Sequence, residues 1–322
     1  MNSSIKAILK KIKDYKEIVI ARHTGPDPDA IAAQIALRDA IKLNYPEKSV
    51  YAVGAPVAKY KYIGKLDKIE GFKLNNPLLI VLDCPNIIRV DGVDFADYKD
   101  VVKIDHHPLE DIMGKAEWVN EDATSTCEMI TELLIKGHLT INASIAENLY
   151  IGVVSDSDRF LYGTTSSKTF ELMSILLKTP EIDLSLAYSN LYLRPLNEVK
   201  FQSYIAEHLK ITENGFAYLK IDKRTVEKYK VDAATASNLV NNFNNIKEII
   251  CWSLVSYDEK QKLYRVNIRS RGPVINEIAS LYNGGGHAMA SGARIKEPKK
   301  IDELFKALDE TCKEYNQNLN SK

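Results

Sequence analysis

The sequence predicts an α/β protein: an N-terminal domain on a parallel sheet, then a smaller C-terminal α+β domain. Three observations carry this. Apolar, β-rich runs recur with helix-like segments between several of them. The runs show little polar alternation, as expected of strands buried on both faces of a parallel sheet. The 322 residues exceed one typical core, so two domains are the natural division.

The elements follow in order. "MNSSIKAILKKIKDY" reads as an amphipathic, lysine-studded helix and lacks the continuous apolar stretch of a signal peptide. Strands are expected at "EIVIAR" (17–22), "SVYAVG" (49–54), "PLLIVLD" (77–83) and "DVVKID" (100–105). Residues 29–44 have apolar side chains at helical spacing, with Asp29 near the start. "STCEMITELLIKG" (125–137) carries Ser/Thr before an apolar run and Gly at its end, the signals of a helix start and stop. Further helices are expected over 142–157 and 166–178. Pro195, in "YLRPLNEV" (192–199), terminates the preceding helix. The expected division is therefore 1–190, a linker over 191–200, and 201–322. The second domain opens with a helical stretch, "NEVKFQSYIAEHLK". A strand (215–222), a helix (233–243) and two strands (246–257 and 263–270) separated by the hairpin signal "DEKQK" follow.

Composition narrows the function. Forty-three basic residues balance forty-three acidic ones, which argues against a bulk nucleic-acid coat protein but leaves room for a local phosphate pocket. Cys84, Cys127, Cys251 and Cys312 form no CxxC pair and no zinc spacing, which fits free thiols in a reducing cytosol. No apolar run is long enough to span a bilayer.

The polar residues cluster where the strands end. The first run leads into His23 and "TGPDPD", the third ends at Asp83, and the fourth ends at Asp105, His106 and His107. Asp156 follows an apolar stretch in the same manner. Open α/β sheets bind ligands beyond the carboxyl ends of their strands. A lone Asp after a strand is usually a turn or a cap, but four such places at one edge point to a site. Pooled, His23, Asp27, Asp29, Asp83, His106, His107 and Asp156 place four carboxylates together, which repel unless cations neutralise them. Imidazole and carboxylate suit Mn²⁺ and related first-row ions, and two such ions about 3.5–4 Å apart are a recurrent device for phosphoester hydrolysis. Pro26 and Pro28 stiffen the loop so that Asp27 and Asp29 can serve neighbouring metals; alternatively, the prolines make a βα turn and Asp29 caps the helix.

Two stretches of the second domain also carry chemistry. "NIRSRGPVINEIA" puts Arg269 and Arg271 at a strand end, before a helix that could start at Pro273, and arginine suits phosphate through its planar fork. "NGGGHAMASGA" sets Gly284, Gly285 and Gly286 before His287, with Ser291 following; consecutive glycines let backbone approach a ligand closely.

"HTGPDPDA", "VLDCP", "KIDHHP" and "GVVSDSDRF", in that order, resemble the four motifs of the DHH phosphoesterases, and "RSRGPVINEIASLYNGGGHAMASG" resembles the DHH-associated C-terminal domain. The resemblance spans nearly the whole chain and is nearest the compact, two-domain NrnA-type branch, the bifunctional oligoribonucleases and 3′-phosphoadenosine-5′-phosphate (pAp) phosphatases. It implies that His23, Asp27 and Asp83 hold one Mn²⁺ and that Asp29, Asp83, His106 and Asp156 hold a second, with Mg²⁺ or another divalent ion as alternatives. It further implies that His107 faces the scissile phosphate while Asp105 orients an imidazole. Arg269, Arg271, Gly284, Gly285, Gly286, His287, Ser291 and Arg159 become the substrate contacts. The implied activity is hydrolysis of short RNA to mononucleotides and of pAp to AMP by a two-metal hydroxide mechanism. A standalone phosphodiesterase of cyclic dinucleotides, or of their linear products, is the alternative. The implied setting is cytoplasmic, without membrane or long duplex partners, and leaves the oligomeric state open, a homodimer included. The chain departs from the family pattern at Ala32-Ala33, where Gly-Ser is frequent, and at Asp156-Ser157-Asp158, where Asp-Thr-Gly is frequent.

Overall fold

Helix α1 (Ser3–Asp14) opens the fold as its pattern requires: Ile5, Ile8 and Ile12 recur every three or four residues and are buried, while Lys6, Lys10 and Lys13 are exposed. The computed structural model describes residues 2–69, 71 and 73–320; Met1 and the outer ends of the two expected domains lie outside the described residues. Contacts group the chain into two units, Met1–Leu193 and Arg194–Lys322.

The first unit is built on strands β1 (Glu17–Ala21), β2 (Ser49–Ala52), β3 (Leu78–Leu82), β4 (Asp100–Asp105) and β5 (Ala116–Val119). All pair in parallel, in the order β2-β1-β3-β4-β5. The helices are α2 (Pro28–Asn44), α3 (Thr126–Lys136), α4 (Ala143–Asp156), α5 (Ser167–Leu176) and α6 (Leu184–Tyr192). Side chains alternate across a strand, so Ile18, Ile20, Leu78, Ile80, Leu82, Val102 and Ile104 face the helices, with Ile35, Leu37, Ile130, Leu133, Leu149 and Val153 packed among them. The opposite face carries Val19, Ala21, Leu79, Val81 and Val101. Against it pack Val90, Val93, Phe95 and Tyr98, from the segment with two short 3₁₀ turns that precedes β4, and Met113, from the loop that follows it. Strand β5 was not expected; it has four residues and a half-exposed Glu117.

Irregular backbone between the units is confined to residues 193–195, because α6 runs to Tyr192 and α7 (Leu196–His208) starts after Pro195. The second unit continues with β6 (Lys210–Ile211), β7 (Phe216–Ile221), α8 (Lys223–Lys228), α9 (Ala233–Asn238), β8 (Cys251–Asp258) and β9 (Leu263–Ser270). It ends with α10 (Asn276–Ser280), β10 (Gly284–His287), β11 (Ala290–Ile295) and α11 (Pro298–Asn320). The sheet order is β10-β11-β9-β8-β7-β6; β7 and β8 run parallel and the other pairs antiparallel. Two expectations need correction here. Strand β8 begins at Cys251 rather than 246, because the carbonyls of Ile246 and Ile249 are taken by the Arg271 guanidinium. The helix after Arg271 begins at Asn276 rather than Pro273, whose carbonyl accepts from Ser270 Oγ. The glycine run forms the edge strand β10. No helix among the described residues is long and apolar enough to cross a membrane.

Candidate active site

Strand order reverses between β1 and β3, and a crevice opens beyond the carboxyl ends of the strands at such a point. His23 and Asp27 follow β1, Asp83 follows β3, His106 and His107 follow β4, and Asp156 ends α4. Two groups of donor atoms form there: His23, Asp27 and Asp83, and Asp29, His106 and Asp156, each with its ligating atoms within 4.8 Å of one another. Asp83 stands between them. Its Oδ2 lies 3.4 Å from His23 Nε2, and its Oδ1 lies 3.4 Å from His106 Nε2. His106 Nε2 is in turn 3.3 Å from Asp156 Oδ2.

Local structure aims each group. Asp83 is buried and holds a left-handed φ of 54°, a conformation that a non-glycine residue adopts at a cost when the surroundings dictate it. Its amide N–H donates to Ile104 O, and its Oδ1 accepts from Thr126 Oγ1 at 3.0 Å. His23 Nδ1 lies 3.0 Å from Thr24 O, a donor's contact, which leaves Nε2 to face Asp83. Asp27 caps α2 by accepting from Ala30 N, with Pro28 at the first turn. Asp29 therefore does not cap its own helix. Its two oxygens accept from Thr126 N at 2.8 Å and Cys127 N at 2.9 Å, at the start of α3. Gly152 permits this: a Cβ there would lie 2.2 Å from Cys127 Sγ and 2.9 Å from Asp29 Oδ1.

The electrostatics are those of buried carboxylates and imidazoles crowded together. Burial raises the Asp29 carboxyl to about 7, and the neighbouring Asp83 charge adds to this. Asp156 is raised well above the ordinary carboxylate value by burial and by Asp29. Burial alone would lower His106, but its hydrogen bond to Asp83 and the Asp83, Asp156 and Asp29 charges raise it to about 10. Burial likewise opposes ionisation of Asp83, yet the His106 and His23 imidazoles hold it well below the usual range. Burial pushes the Cys127 thiol well up, so it brings no thiolate. Neighbouring buried carboxylates that oppose one another's ionisation are the kind of group a divalent cation can neutralise.

The two adjacent histidines differ. His106 joins the Asp29–Asp156 group. His107 Nδ1 lies 2.9 Å from Asp105 Oδ1 and 3.5 Å from Asp83 Oδ1. Geometry alone also groups Asp83, His106 and His107, but the shorter contact commits Nδ1 to Asp105. Asp158 pairs with Arg159 at 2.6 Å and is in neither donor group among the described residues. Both residues and Phe160 hold left-handed φ values, in a tight turn just past Asp156. Sequence reasoning passed over Thr126, Gly152 and Lys103. Only Lys103 left a trace, as one charge inside the apolar run "VVKI".

In the second unit the register divides the glycine motif between two faces. His287, Ala290 and Arg269 are paired in one row, and Gly285, Gly292 and Asn267 in the row two residues along. Opposed residues and those two apart share a face. Gly285, Ala290 and Gly292 thus make a floor of small residues flanked by His287, Arg269 and Asn267. The turn over residues 239–243 closes one end, where Arg269 Nε donates to Asn241 Oδ1 and Trp252 Nε1 donates to Val240 O. Gly284, Gly286 and Ser291 lie in the alternate rows on the packed face, where Ser291 Oγ donates to His287 O at 2.8 Å. A Cβ on Gly284 would meet Gly292 O at 2.1 Å; one on Gly285 would meet nothing within 4 Å. Arg271 is not on this floor: its Nη2 donates to Ile246 O and Ile249 O.

A parallel α/β unit with paired imidazole–carboxylate groups at its switch point, followed by a mixed-sheet unit with a glycine floor, defines a two-domain protein of the DHH type. Residues 17–153 match the DHH family, N-terminal domain, and residues 213–314 match the DHHA1 domain. The chain is 38% identical over 311 residues to the bifunctional oligoribonuclease and PAP phosphatase NrnA of Bacillus subtilis, covering 96% of this chain and 98% of that protein. It is 33% identical to the probable bifunctional oligoribonuclease and PAP phosphatase NrnA of Streptococcus mutans, covering 97% and 100%. The chain belongs to the DHH family. Its fold is shared with an exopolyphosphatase-related protein from Bacteroides fragilis, at a TM-score of 0.86 and 21% identity over 99% of this chain and 98% of that one.

Proposed function

We propose that the protein is a cytoplasmic, metal-dependent phosphoesterase that hydrolyses very short RNA to mononucleotides and converts pAp to AMP. The observation that carries the reading is Asp83, one oxygen toward each imidazole of two separate donor groups. The names of the Bacillus and Streptococcus relatives support the substrates. The four unpaired cysteines support the location.

The donor set fits two Mn²⁺ ions: imidazole and carboxylate without thiolate, in a cluster whose raised carboxyl and imidazole pKa values call for positive charge. His23, Asp27 and Asp83 would hold one ion, and Asp29, Asp83, His106 and Asp156 the other. When bound, the pair supplies Lewis acidity, charge neutralisation and a water acidified enough to attack phosphorus. The chain's own residues do the rest. Asp83 fixes the spacing of the two groups. Asp105 holds the Nδ1 side of His107, and the imidazole so oriented would stabilise charge that develops on the phosphoryl oxygens. Arg159, braced by Asp158, is a guanidinium near the turn that follows Asp156. In the second unit, the floor of Gly285, Ala290 and Gly292 takes the terminal nucleotide, with His287 and Arg269 as donors to its phosphate. Gly284, Gly286 and Ser291 shape the hairpin that presents that floor, and Arg271 anchors its neighbouring loop. The balanced charge of the chain accords with short substrates, since tracking a long strand needs a basic path.

The test is hydrolysis of pAp, of two- to five-nucleotide RNAs and of a cyclic dinucleotide, each with Mn²⁺ and with chelator. Mn²⁺-dependent turnover of pAp and short RNA is expected. Preferred turnover of the cyclic species, or undiminished activity in chelator, refutes the reading.

A further inference from the structure

We infer that Lys103 is a positioning residue of this centre: its ammonium fixes Asp105 and, through Asp105, the orientation of the His107 imidazole. The kinetic part of this inference rests on the functional reading above; the structural part stands without it.

Lys103 lies inside β4 and is fully buried. Taking an ammonium out of water carries a large desolvation penalty, and an apolar side chain of similar volume often serves stability as well or better. Something other than packing is therefore served. An ammonium has three N–H donors and no acceptor; Lys103 Nζ donates to Pro85 O at 2.9 Å and Asp111 O at 3.2 Å and forms an ion pair with Asp105 Oδ2 at 3.5 Å. Each acceptor belongs to a segment that carries a site residue. Pro85 is two residues past Asp83, Asp111 lies in the loop that begins with His106 and His107, and Asp105 ends β4. The two loops are also laced to each other, by Asp111 N to Pro85 O at 3.1 Å and Ile87 N to Asp111 Oδ2 at 2.9 Å. Lys103 is the charged hub of that lacing.

Asp105 is fully buried as well. Its Oδ1 accepts from His107 N at 3.2 Å and contacts His107 Nδ1 at 2.9 Å. No hydrogen bond reaches its Oδ2 among the described residues, so the Lys103 ion pair is the contact that holds that oxygen. With the ammonium gone, the carboxyl can turn about its own bond and His107 loses the fixed partner of Nδ1. The metal-ligand candidates have separate supports: Asp83 has Thr126, Asp29 has the start of α3, and His23 has Thr24. The change is thus expected to reach His107 and to spare the ions.

The experiment uses the full chain as wild type, Lys103→Met, Asp105→Asn and the Lys103→Met/Asp105→Asn double variant. Steady-state kinetics on pAp and a dinucleotide RNA are combined with Mn²⁺ titration calorimetry. Long-range ¹H–¹⁵N correlation of histidine-labelled, metal-free protein reports each ring's tautomer, with His107 assigned by His107→Gln. Lys103→Met is expected to lower kcat by about 10–100-fold on both substrates, the range of partners that orient a site residue, while KM and Mn²⁺ affinity hold. The His107 signal is expected to change from the Nδ1–H tautomer to a mixture. The double variant is expected to be no slower than the worse single one, because residues acting as one unit are not additive. Wild-type kcat in Lys103→Met, retention of the Nδ1–H tautomer, or losses that add in the double variant overturn the inference. If Lys103→Met fails to fold, the double variant, which leaves no charge unpaired, takes its place, and wild-type kcat there overturns it equally. If the wild type hydrolyses neither substrate, the functional reading fails, and the tautomer comparison still decides the positioning role.

Discussion

Replacing Gly285 with alanine separates a binding role of the glycine run from a packing role, with Gly284→Ala as its comparison. A Cβ at 284 would lie 2.1 Å from Gly292 O and 2.8 Å from Ala279 O, both backbone atoms that cannot rotate away. The β10–β11 hairpin must open or α10 must shift, and overpacking of this kind costs about 1–3 kcal/mol. A Cβ at 285 meets nothing within 4 Å, and the φ there lies outside the left-handed region. Alanine at that position removes freedom from the unfolded chain and stabilises by about 0.4–1 kcal/mol. Its methyl group stands on the floor between His287, Arg269 and Asn267, one C–C bond of about 1.5 Å above the backbone. A ligand resting there is lifted by a comparable distance, and a displacement near 1 Å costs up to about 100-fold. The expected loss is therefore about 10–100-fold in kcat/KM, or ~1.4–2.7 kcal/mol, carried mainly by KM. Thermal melting and kinetics on pAp and a dinucleotide RNA read both quantities. Gly285→Ala should melt at or slightly above wild type with a raised KM, and Gly284→Ala should melt lower. A Gly285→Ala protein with wild-type kcat/KM refutes the floor as the binding surface, and one destabilised as much as Gly284→Ala refutes the steric argument.

Asp83→Asn should lower activity by more than about 100-fold, beyond the range of orienting partners, and reduce the Mn²⁺ stoichiometry in calorimetry, because that carboxylate belongs to the His23–Asp27 group and also reaches His106 of the other; two ions bound at wild-type affinity would contradict the bridging role. In the metal-free protein, His106 is raised from 6.5 to about 10, so its contribution to stability is complete below pH 6.5 and lost as pH rises through 10. Asp29, raised from 3.8 to about 7, acts in the same direction: its contribution is complete below pH 3.8 and fades as pH rises through 7. The metal-free melting temperature should thus fall between pH 6 and 9, and Mn²⁺ binding at pH 7 should release protons, measured by calorimetry in buffers of different ionisation enthalpy; binding without release would rule this out. Arg271→Ala should destabilise by about 1.5–3 kcal/mol, as expected for lost charge-assisted bonds to the Ile246 and Ile249 carbonyls, with KM unchanged, whereas Arg269→Ala should raise KM; the reverse pattern would move Arg271 onto the substrate.

The sequence by itself determined the α/β class, four of the five parallel strands and the residues of both donor groups. The reason is local: strands buried on two faces are apolar throughout, so His23, Asp83, His106 and His107 stand out where each run stops. Strand β5 was not legible because four residues with a half-exposed glutamate carry no such contrast. The glycine run, which allows either loop or strand, became a strand only through its pairing with Ala290–Ile295, a partner beyond a two-residue turn. Tertiary structure alone decided which aspartate caps which helix. Spacing cannot show that α3 brings its first N–H groups to Asp29 from a hundred residues away, nor that Gly152 lets α4 come close enough for this. The burial of Lys103 against Pro85, Asp111 and Asp105 was decided in the same way, because a buried ammonium finds two carbonyls and a carboxylate only where separate loops converge.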